Sequence, residues 1–404
     1  MTEQKNSPVL RFPGFDSNWS KKRLKKIADI NPKSKQNRPE QFNYIDLESV
    51  KQGRIINISK VSKDNAPSRA QRIAQKQDIF FQTVRPYQQN NFIYNFDVDD
   101  VVVSTGYAQF RTINHKYYIF TLLHTYRFLV NVLLNCTGSN YPAINSTDLS
   151  NIEVYITENK LEQEKIGNFF SKLDCQIELE EKKLELLEQQ KRGYMQKIFS
   201  RELRLKDENG NLSPAWTQTQ LKNITNRITR KNKKLESTRP LTISGQLGLI
   251  DQVEYFNKSV SSKNLENYTL LQKNEFAYNK SYSNGYPLGA IKRLTRYDKG
   301  VLSSLYICFS INSDISVDFM QYYFESTKWF REVASIAVEG ARNHGLLNIS
   351  VNDFFDINIK LPSLENQIKI ADFLSKLDKL IEKQSAKVEI LKQRKQGLLQ
   401  KMFV

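Results

Sequence analysis

The side chains of this chain that are grouped in a way that could do chemistry are cations, amides and aromatics. In the first half, the run Gln82-Thr83-Val84-Arg85-Pro86-Tyr87-Gln88-Gln89-Asn90-Asn91 sets amides around one Arg and one Tyr. Lys33, Lys35 and Arg38 lie in a polar loop after an opening helix. In the second half, Arg227, Arg230, Lys231, Lys233 and Lys234 cluster, followed by Lys280, Tyr282, Asn284, Lys292, Arg293 and Arg296. Asn and Gln donate and accept in one plane and so match base edges, whereas Lys, Arg and hydroxyl groups hold phosphates. Aromatic faces among cations suit base stacking. Taken singly, each of these residues is as readily a solvated surface group, and phosphate contact is commoner than base contact. The candidate nucleic-acid contacts are Lys35, Arg38, Gln82, Thr83, Arg85, Tyr87, Gln88 and Asn90 in the first half. In the second they are Arg227, Arg230, Lys231, Lys233, Lys234, Lys280, Tyr282, Asn284, Arg293 and Arg296.

Catalytic groupings are missing. There is no phosphate-binding G-x-x-x-x-G-K-[ST] loop and no G-x-G-x-x-G. Asn31-Pro32-Lys33-Ser34 comes nearest to the Asn-Pro-Pro-aromatic motif of amino-methyltransferases, but lacks the second proline and the aromatic. His115, His124 and His344 have no metal-ligand spacing, and no nuclease-like acidic cluster stands out. No metal or cofactor is expected on this chain.

Sixty Lys and Arg against 43 Asp and Glu leave a net charge of +17, a field that favours a polyanionic partner. Cys136, Cys175 and Cys308 are widely separated, which argues against a disulfide framework or a zinc site and fits the cytoplasm. The opening MTEQKNSPVL lacks the apolar core of a signal peptide, and no apolar run is long enough to span a membrane.

The elements that must position these loops are duplicated. IGNFFSKLDCQIELEEKKLELLEQQKRGYMQKIF (166–199) and IADFLSKLDKLIEKQSAKVEILKQRKQGLLQKMF (370–403) share 17 of 34 positions without a gap. Gln163 and Lys165 match Gln367 and Lys369 upstream, and each half opens alike, with Trp19 before Leu24-Lys25-Lys26-Ile27 and Trp216 before Leu221-Lys222-Asn223-Ile224. The chain is a tandem repeat in which a mixed globular stretch of about 145 residues ends in a helix of about 35, the size of ordinary domains. Val101-Val102-Val103-Ser104-Thr105 and Leu305-Tyr306-Ile307-Cys308-Phe309 are candidate strands.

In each long helix, apolar residues recur every 3.5 positions, the mark of a coiled-coil seam. Leu173, Ile177, Leu184 and Leu187 form the first stripe, and Leu377, Ile381, Val388 and Leu391 the second. Glu180 and Lys191 interrupt one stripe, Gln384 and Lys395 the other. A pseudo-two-fold repeat packs such helices antiparallel, and opposing polar layers in register would set Glu180 against Lys395 and Lys191 against Gln384. Each helix packing separately on its own domain is the plainer alternative. Gly193 and Gly397 either admit a partner or soften the last turns. At about 1.5 Å per residue such a helix is roughly 50 Å long, against roughly 34–36 Å for a turn of B-DNA.

The expected fold is α+β: two globular mixed α/β domains (1–160 and 216–362), with long helices at 161–200 and 363–404 and a linker at 201–215. Over essentially its whole length the chain resembles the specificity subunits of type I restriction–modification systems. The resemblance rests on Leu10-Arg11-Phe12-Pro13-Gly14-Phe15 with Trp19, Tyr44-Ile45-Asp46-Leu47-Glu48-Ser49-Val50, and Asp78-Ile79-Phe80 before Val84-Arg85-Pro86-Tyr87. The second half adds Tyr278-Asn279-Lys280-Ser281-Tyr282-Ser283 with Gly289-Ala290-Ile291, the run 340–349 (GARNHGLLNI), and Leu361-Pro362 before Gln367-Ile368-Lys369-Ile370. The first copy departs from it, with Thr157-Glu158 in place of Leu361-Pro362 and Pro142-Ala143-Ile144 in place of Gly-Leu-Leu.

The resemblance implies two target-recognition domains, each reading one part of a split, asymmetric site in double-stranded DNA. It implies a non-catalytic chain whose helices set the spacer and dock modification subunits, two in number. Those partners methylate adenine with S-adenosylmethionine, and restriction subunits use ATP and Mg. A coiled-coil protein scaffold that reads no DNA, or the recognition part of a fused methyltransferase or nuclease, are the alternative readings.

Overall fold

The computed structural model describes residues 6–34, 37–98, 100–204, 212–245, 247–257, 264–282, 285–337 and 347–404. It divides into two compact units: Met1–Lys182 with Ser385–Val404, and Lys183–Gln384. The long helices, expected as segments of their own, are thereby each shared out by halves between the two units. Lys160–Ser200 and Leu364–Met402 lie within a few residues of their expected bounds.

In the first unit, Val101–Ser104 is buried along its whole length because apolar clusters cover both its faces. Val102 turns to Phe42, Tyr44 and Ala70, while Val101 and Val103 turn to Ile45, Val50 and Tyr107. This strand pairs parallel with Gln41–Ile45 and antiparallel with Ala70–Ile73, and Ser59–Ser62 completes the sheet. A second sheet has the order Asp29–Ile30, Tyr107–Arg111, Ile79–Gln82, Phe92–Ile93. Its alternating side chains serve two clusters: Phe80 and Tyr107 on one face, Ile79, Phe81, Ala108 and Phe110 on the other. The latter face meets the helices and the large core that includes Trp19, Tyr118 and Phe170.

The expected opening helix is replaced by the strand Ser20–Arg23, paired antiparallel with Glu153–Ile156, and one 3-10 turn, Leu24–Lys26. That turn drives Leu24 fully into the core, and the second unit repeats the device with Thr217–Gln220, Asn358–Leu361 and the buried Leu221.

The second unit is built around the sheet Thr225–Arg227, Tyr306–Ile311, Phe276–Asn279, Ala290–Arg293. Tyr306–Ile311 realises the second expected strand. Val317–Glu325, Phe330–Ile336 and Val351–Asp356 cover it. Two antiparallel pairs, Leu241–Ser244 with Gly248–Asp251 and Thr269–Gln272 with Lys299–Leu302, form a smaller cluster.

One repeated residue anchors each long helix to its domain. Gln163, 1% exposed, accepts from the His115 N–H and donates to the Thr157 carbonyl; Gln367, 2% exposed, accepts from the Ser316 N–H and donates to the Pro362 carbonyl. A buried amide is retained where both its ends find partners, and here they do so twice over.

In each unit the far half of the other long helix packs antiparallel to the anchored one. In the first unit Leu391, Leu399, Met402 and Phe403 join Phe170, Leu173 and Ile177 in one core. The seam register differs from the expected one. Lys395 pairs with Asp174 (2.5 Å) rather than Glu180, and Glu180 pairs with Lys387. In the second unit Lys191 pairs with Asp378 (2.7 Å) and Glu325 rather than Gln384. For Lys191 the cause is electrostatic, since a half-buried ammonium seeks a carboxylate before the neutral amide of Gln384, and the symmetry of the repeat gives Lys395 the matching Asp174 in place of Glu180. Asp174 and Asp378 occupy equivalent places in the repeat and supply the carboxylate in each unit. Leu173, Ile177, Val388, Leu391, Leu377 and Gln384 are buried along the seam, with Leu184, Leu187 and Ile381 half-buried. Among the described residues no helix is long and apolar enough to cross a membrane.

Candidate nucleic-acid interface

In the first unit the amide-rich run is a tight loop after the strand Ile79–Gln82. Two non-glycine residues, Arg85 (φ +53°) and Gln89 (φ +51°), hold the left-handed conformation on either side of the single turn Pro86–Gln88. Such backbone persists only where surrounding bonds over-determine it. Gln82, 1% exposed, supplies several of them: its side chain donates to the Val84 carbonyl and to Gln88 Oε1, and accepts from the Asn90 N–H. Asn91, fully buried, accepts from the Gln82 N–H. The Arg85 N–H donates to the Pro142 carbonyl.

This corrects the roles expected for two residues. Gln82 is consumed in holding the loop, and Thr83 is buried with its hydroxyl donating to the Gly106 carbonyl. Neither presents an edge to a ligand. Tyr87, half exposed, and Gln88 form the projecting tip. Arg85 is part-exposed with its guanidinium 4.3 Å from the Tyr141 ring centre, a cation–π contact. Asn90 Oδ1 accepts from the Gln52 N–H, which ties the loop to the hairpin Val50–Ile55. Arg38 lies over the Phe42 ring and donates to the Ala70 carbonyl, so it is partly committed to structure. Lys35 lies outside the described residues.

The cation run of the second unit is also organised by a residue the sequence reading passed over. Asn232, fully buried in the middle of it, donates to the Ser237 and Leu265 carbonyls and accepts from the Ser237 N–H. The turn so made leaves Lys233 and Lys234 exposed, as is Arg227 on its strand. None of the three side chains has a hydrogen bond or ion pair among the described residues. Arg230 is held by Glu275 and the Leu270 carbonyl, and Lys231 donates to the Asn267 carbonyl. An uncharged Asn flanked by cations on both sides was the available signal for this turn.

Of the later candidates, Arg293 is engaged by Asp318, Asn274 and Gln321, and Lys280 donates to the Ile349 carbonyl. Arg296 and Tyr282 are exposed. Asn284 lies outside the described residues, as does His344. Burial holds the Lys292 ammonium below the ordinary lysine range. Among the described residues no group of three or more His, Cys, Asp or Glu is placed to hold a metal ion. The first unit thus offers the part-exposed Arg85 with a Tyr87 and Gln88 tip on a loop fixed by the buried Gln82 and Asn91, and the second offers the exposed Lys233 and Lys234 on a turn fixed by the buried Asn232, with Arg227 and Tyr282 exposed elsewhere.

The family model for the type I restriction modification DNA specificity domain matches residues 16–189 and again 216–391. A curated relative, the type I restriction enzyme MjaVIII specificity subunit of Methanocaldococcus jannaschii, is 32% identical over 105 residues, 26% of this chain. That match spans 24%, about a quarter, of the relative's length. Among solved structures, the type I restriction–modification S subunit from M. genitalium superposes with a TM-score of 0.56 at 18% identity, covering 98% of this chain and 99% of that one. A chain from a structure on complex assembly and conformational transition of the type I system gives 0.58 at 18% identity, again covering 98% and 99%. These likenesses carry the fold, and the two family-model matches fall one on each half of the repeat. The chain belongs to the type I restriction–modification DNA specificity family and carries its domain twice.

Proposed function

We propose that this chain is the non-catalytic, DNA-reading subunit of a type I restriction–modification complex, acting in the cytoplasm. Each domain reads one part of a bipartite, asymmetric site, and the long helices dock two modification subunits and the restriction subunits. The observation that carries this reading is the duplication of the specificity domain on two units, one presenting Arg85, Tyr87 and Gln88 on a pinned loop and the other Lys233 and Lys234 on a pinned turn. Leu186 and Ile390, equivalent in the repeat, stay 56% and 63% exposed on the long helices, in keeping with a partner covering them. Adenine methylation with S-adenosylmethionine, and ATP- and Mg-dependent cleavage, are then the partners' work.

The test is to co-express the chain with a compatible modification subunit and sequence the DNA for methylated adenine. A split motif methylated only when this chain is present is the expected result. Methylation that is unchanged on omitting the chain, while the proteins still co-purify, would leave it a scaffold.

A further inference from the structure

A second cationic surface lies in the first unit, away from the amide-rich loop. A solvent-open cleft of about 460 Å³ is lined by Lys76, Gln77, Thr112, Asn114, His115 and Lys116, among others. Its acid, Asp78, is spent: 2% exposed, it accepts from Arg111 Nε and Nη2, from Gln109 Nε2 and from the Gln75 N–H. Lys116 has no ion pair among the described residues. Lys76 has one, with Asp97, but both side chains are more than half exposed, so the pair is readily exchanged. Burial, and then the charge of Lys76, hold the Lys116 ammonium below the ordinary lysine range, which places the two cations within reach of each other's field.

The second unit builds the same turn, with Lys273 paired to Asp298 at 3.7 Å as Lys76 is to Asp97, but has no lysine in the place of Lys116. Gln272-Lys273-Asn274-Glu275 repeats Gln75-Lys76-Gln77-Asp78: Glu275 accepts from the Gln272 N–H as Asp78 does from the Gln75 N–H, and Asn274 and Gln77 are both left-handed. The Gln163–His115 and Gln367–Ser316 anchors then place Val317 where the first unit has Lys116. The next residue, Asp318, takes Arg293. Among the described residues, a lysine without an ion pair at the helix start beside this turn is therefore found in the first unit and not in the second.

We propose that Lys76 and Lys116 each grip one of two neighbouring backbone phosphodiesters of the DNA duplex beside the first half-site. The site rests on the DNA-reading function proposed above, and it is blind to sequence. Separated cations at an open cleft suit an extended polyanion, since each contact releases condensed counterions.

The test uses the complex with its modification subunits and a duplex carrying the methylated motif, with affinity followed against salt. For Lys76→Gln with Lys116→Gln, the slope of log affinity against log salt falls by about two, and affinity drops roughly tenfold near physiological salt. The methylated motif stays the same. Lys76→Gln alone, at an exposed turn, gives about half the slope change, and Lys116→Arg restores binding. Inorganic phosphate at matched ionic strength leaves duplex binding unaltered; displacement by it would make this a free-phosphate site and overturn the assignment. An unchanged slope in a complex that still methylates its motif, or an altered motif, overturns this site alone. A wild-type complex that neither binds nor methylates DNA overturns the proposed function and the site with it.

Discussion

His124 shows how one side chain records its surroundings. Its Nδ1 lies 2.8 Å from the Phe120 carbonyl, which can only accept, so Nδ1 carries the proton. Its Nε2 then accepts from Asn91 Nδ2 at 3.3 Å, and the neutral ring is satisfied at both ends. Burial, then the nearby charge of Lys395, push its pKa down to about 4. The folded value lies below that of the unfolded chain, so the stabilisation is complete above about pH 6.5 and is lost as pH falls toward 4. Thermal unfolding of the first unit should show this loss, on the order of 2–3 kcal/mol across that window, and His124→Gln should flatten it. Identical pH profiles for the two proteins would refute the assignment. The same Asn91 holds the amide-rich loop, so the loop and the ring share one polar network.

At the scale of elements, the long helices are held by a few repeated side chains more than by the regularity of their heptads. The Asp174–Lys395 and Asp378–Lys191 pairs occupy the same places in the repeat. The buried Gln163 and Gln367 fix where each helix leaves its domain. Gly193 and Gly397 are different: a Cβ built on either meets nothing within 4 Å. Inside a helix, glycine costs about 0.5–1 kcal/mol relative to alanine. Gly193→Ala and Gly397→Ala should therefore each raise stability by about that amount in chemical denaturation. Raised stability with lost co-purification of the modification subunit would show that the glycines exist to admit a partner.

At the scale of the whole molecule, the last twenty residues belong to the first domain's core. The Phe403 ring centre lies 5.7 Å from that of Trp19 and 5.6 Å from that of Tyr118, and the Leu10 N–H donates to the Lys401 carbonyl. Phe199, its counterpart in the repeat, meets Trp216 and Phe319 in the second unit at 6.0 and 5.8 Å. Each long helix thus ends in the core of the domain from the other half of the sequence. Removing a buried Phe alone typically costs about 3–5 kcal/mol. Truncation after Gln384 should accordingly unfold the first unit, while amide exchange in the second unit's sheet stays protected. A truncated chain whose first unit melts as before would contradict the shared core.

The sequence by itself determined the duplication, the two long helices, strands at 101–105 and 305–309 that the structure places at 101–104 and 306–311, and the absence of a recognisable catalytic motif. These are local or periodic properties: a heptad stripe or a β-branched run reads the same wherever it is placed. It also marked the loops rich in cations and amides. Which of their residues face outward was decided only by tertiary structure. Gln82 and Tyr87 are five positions apart in one polar run, yet one is buried to pin the turn and the other projects from it. The seam register went the same way, because Lys395 and Lys191 were settled by carboxylates on the facing helix segment, outside the pattern of the stripe. The exchange of helix ends depends on contacts between residues hundreds of positions apart, such as Trp19 with Phe403, and no spacing within either segment encodes them.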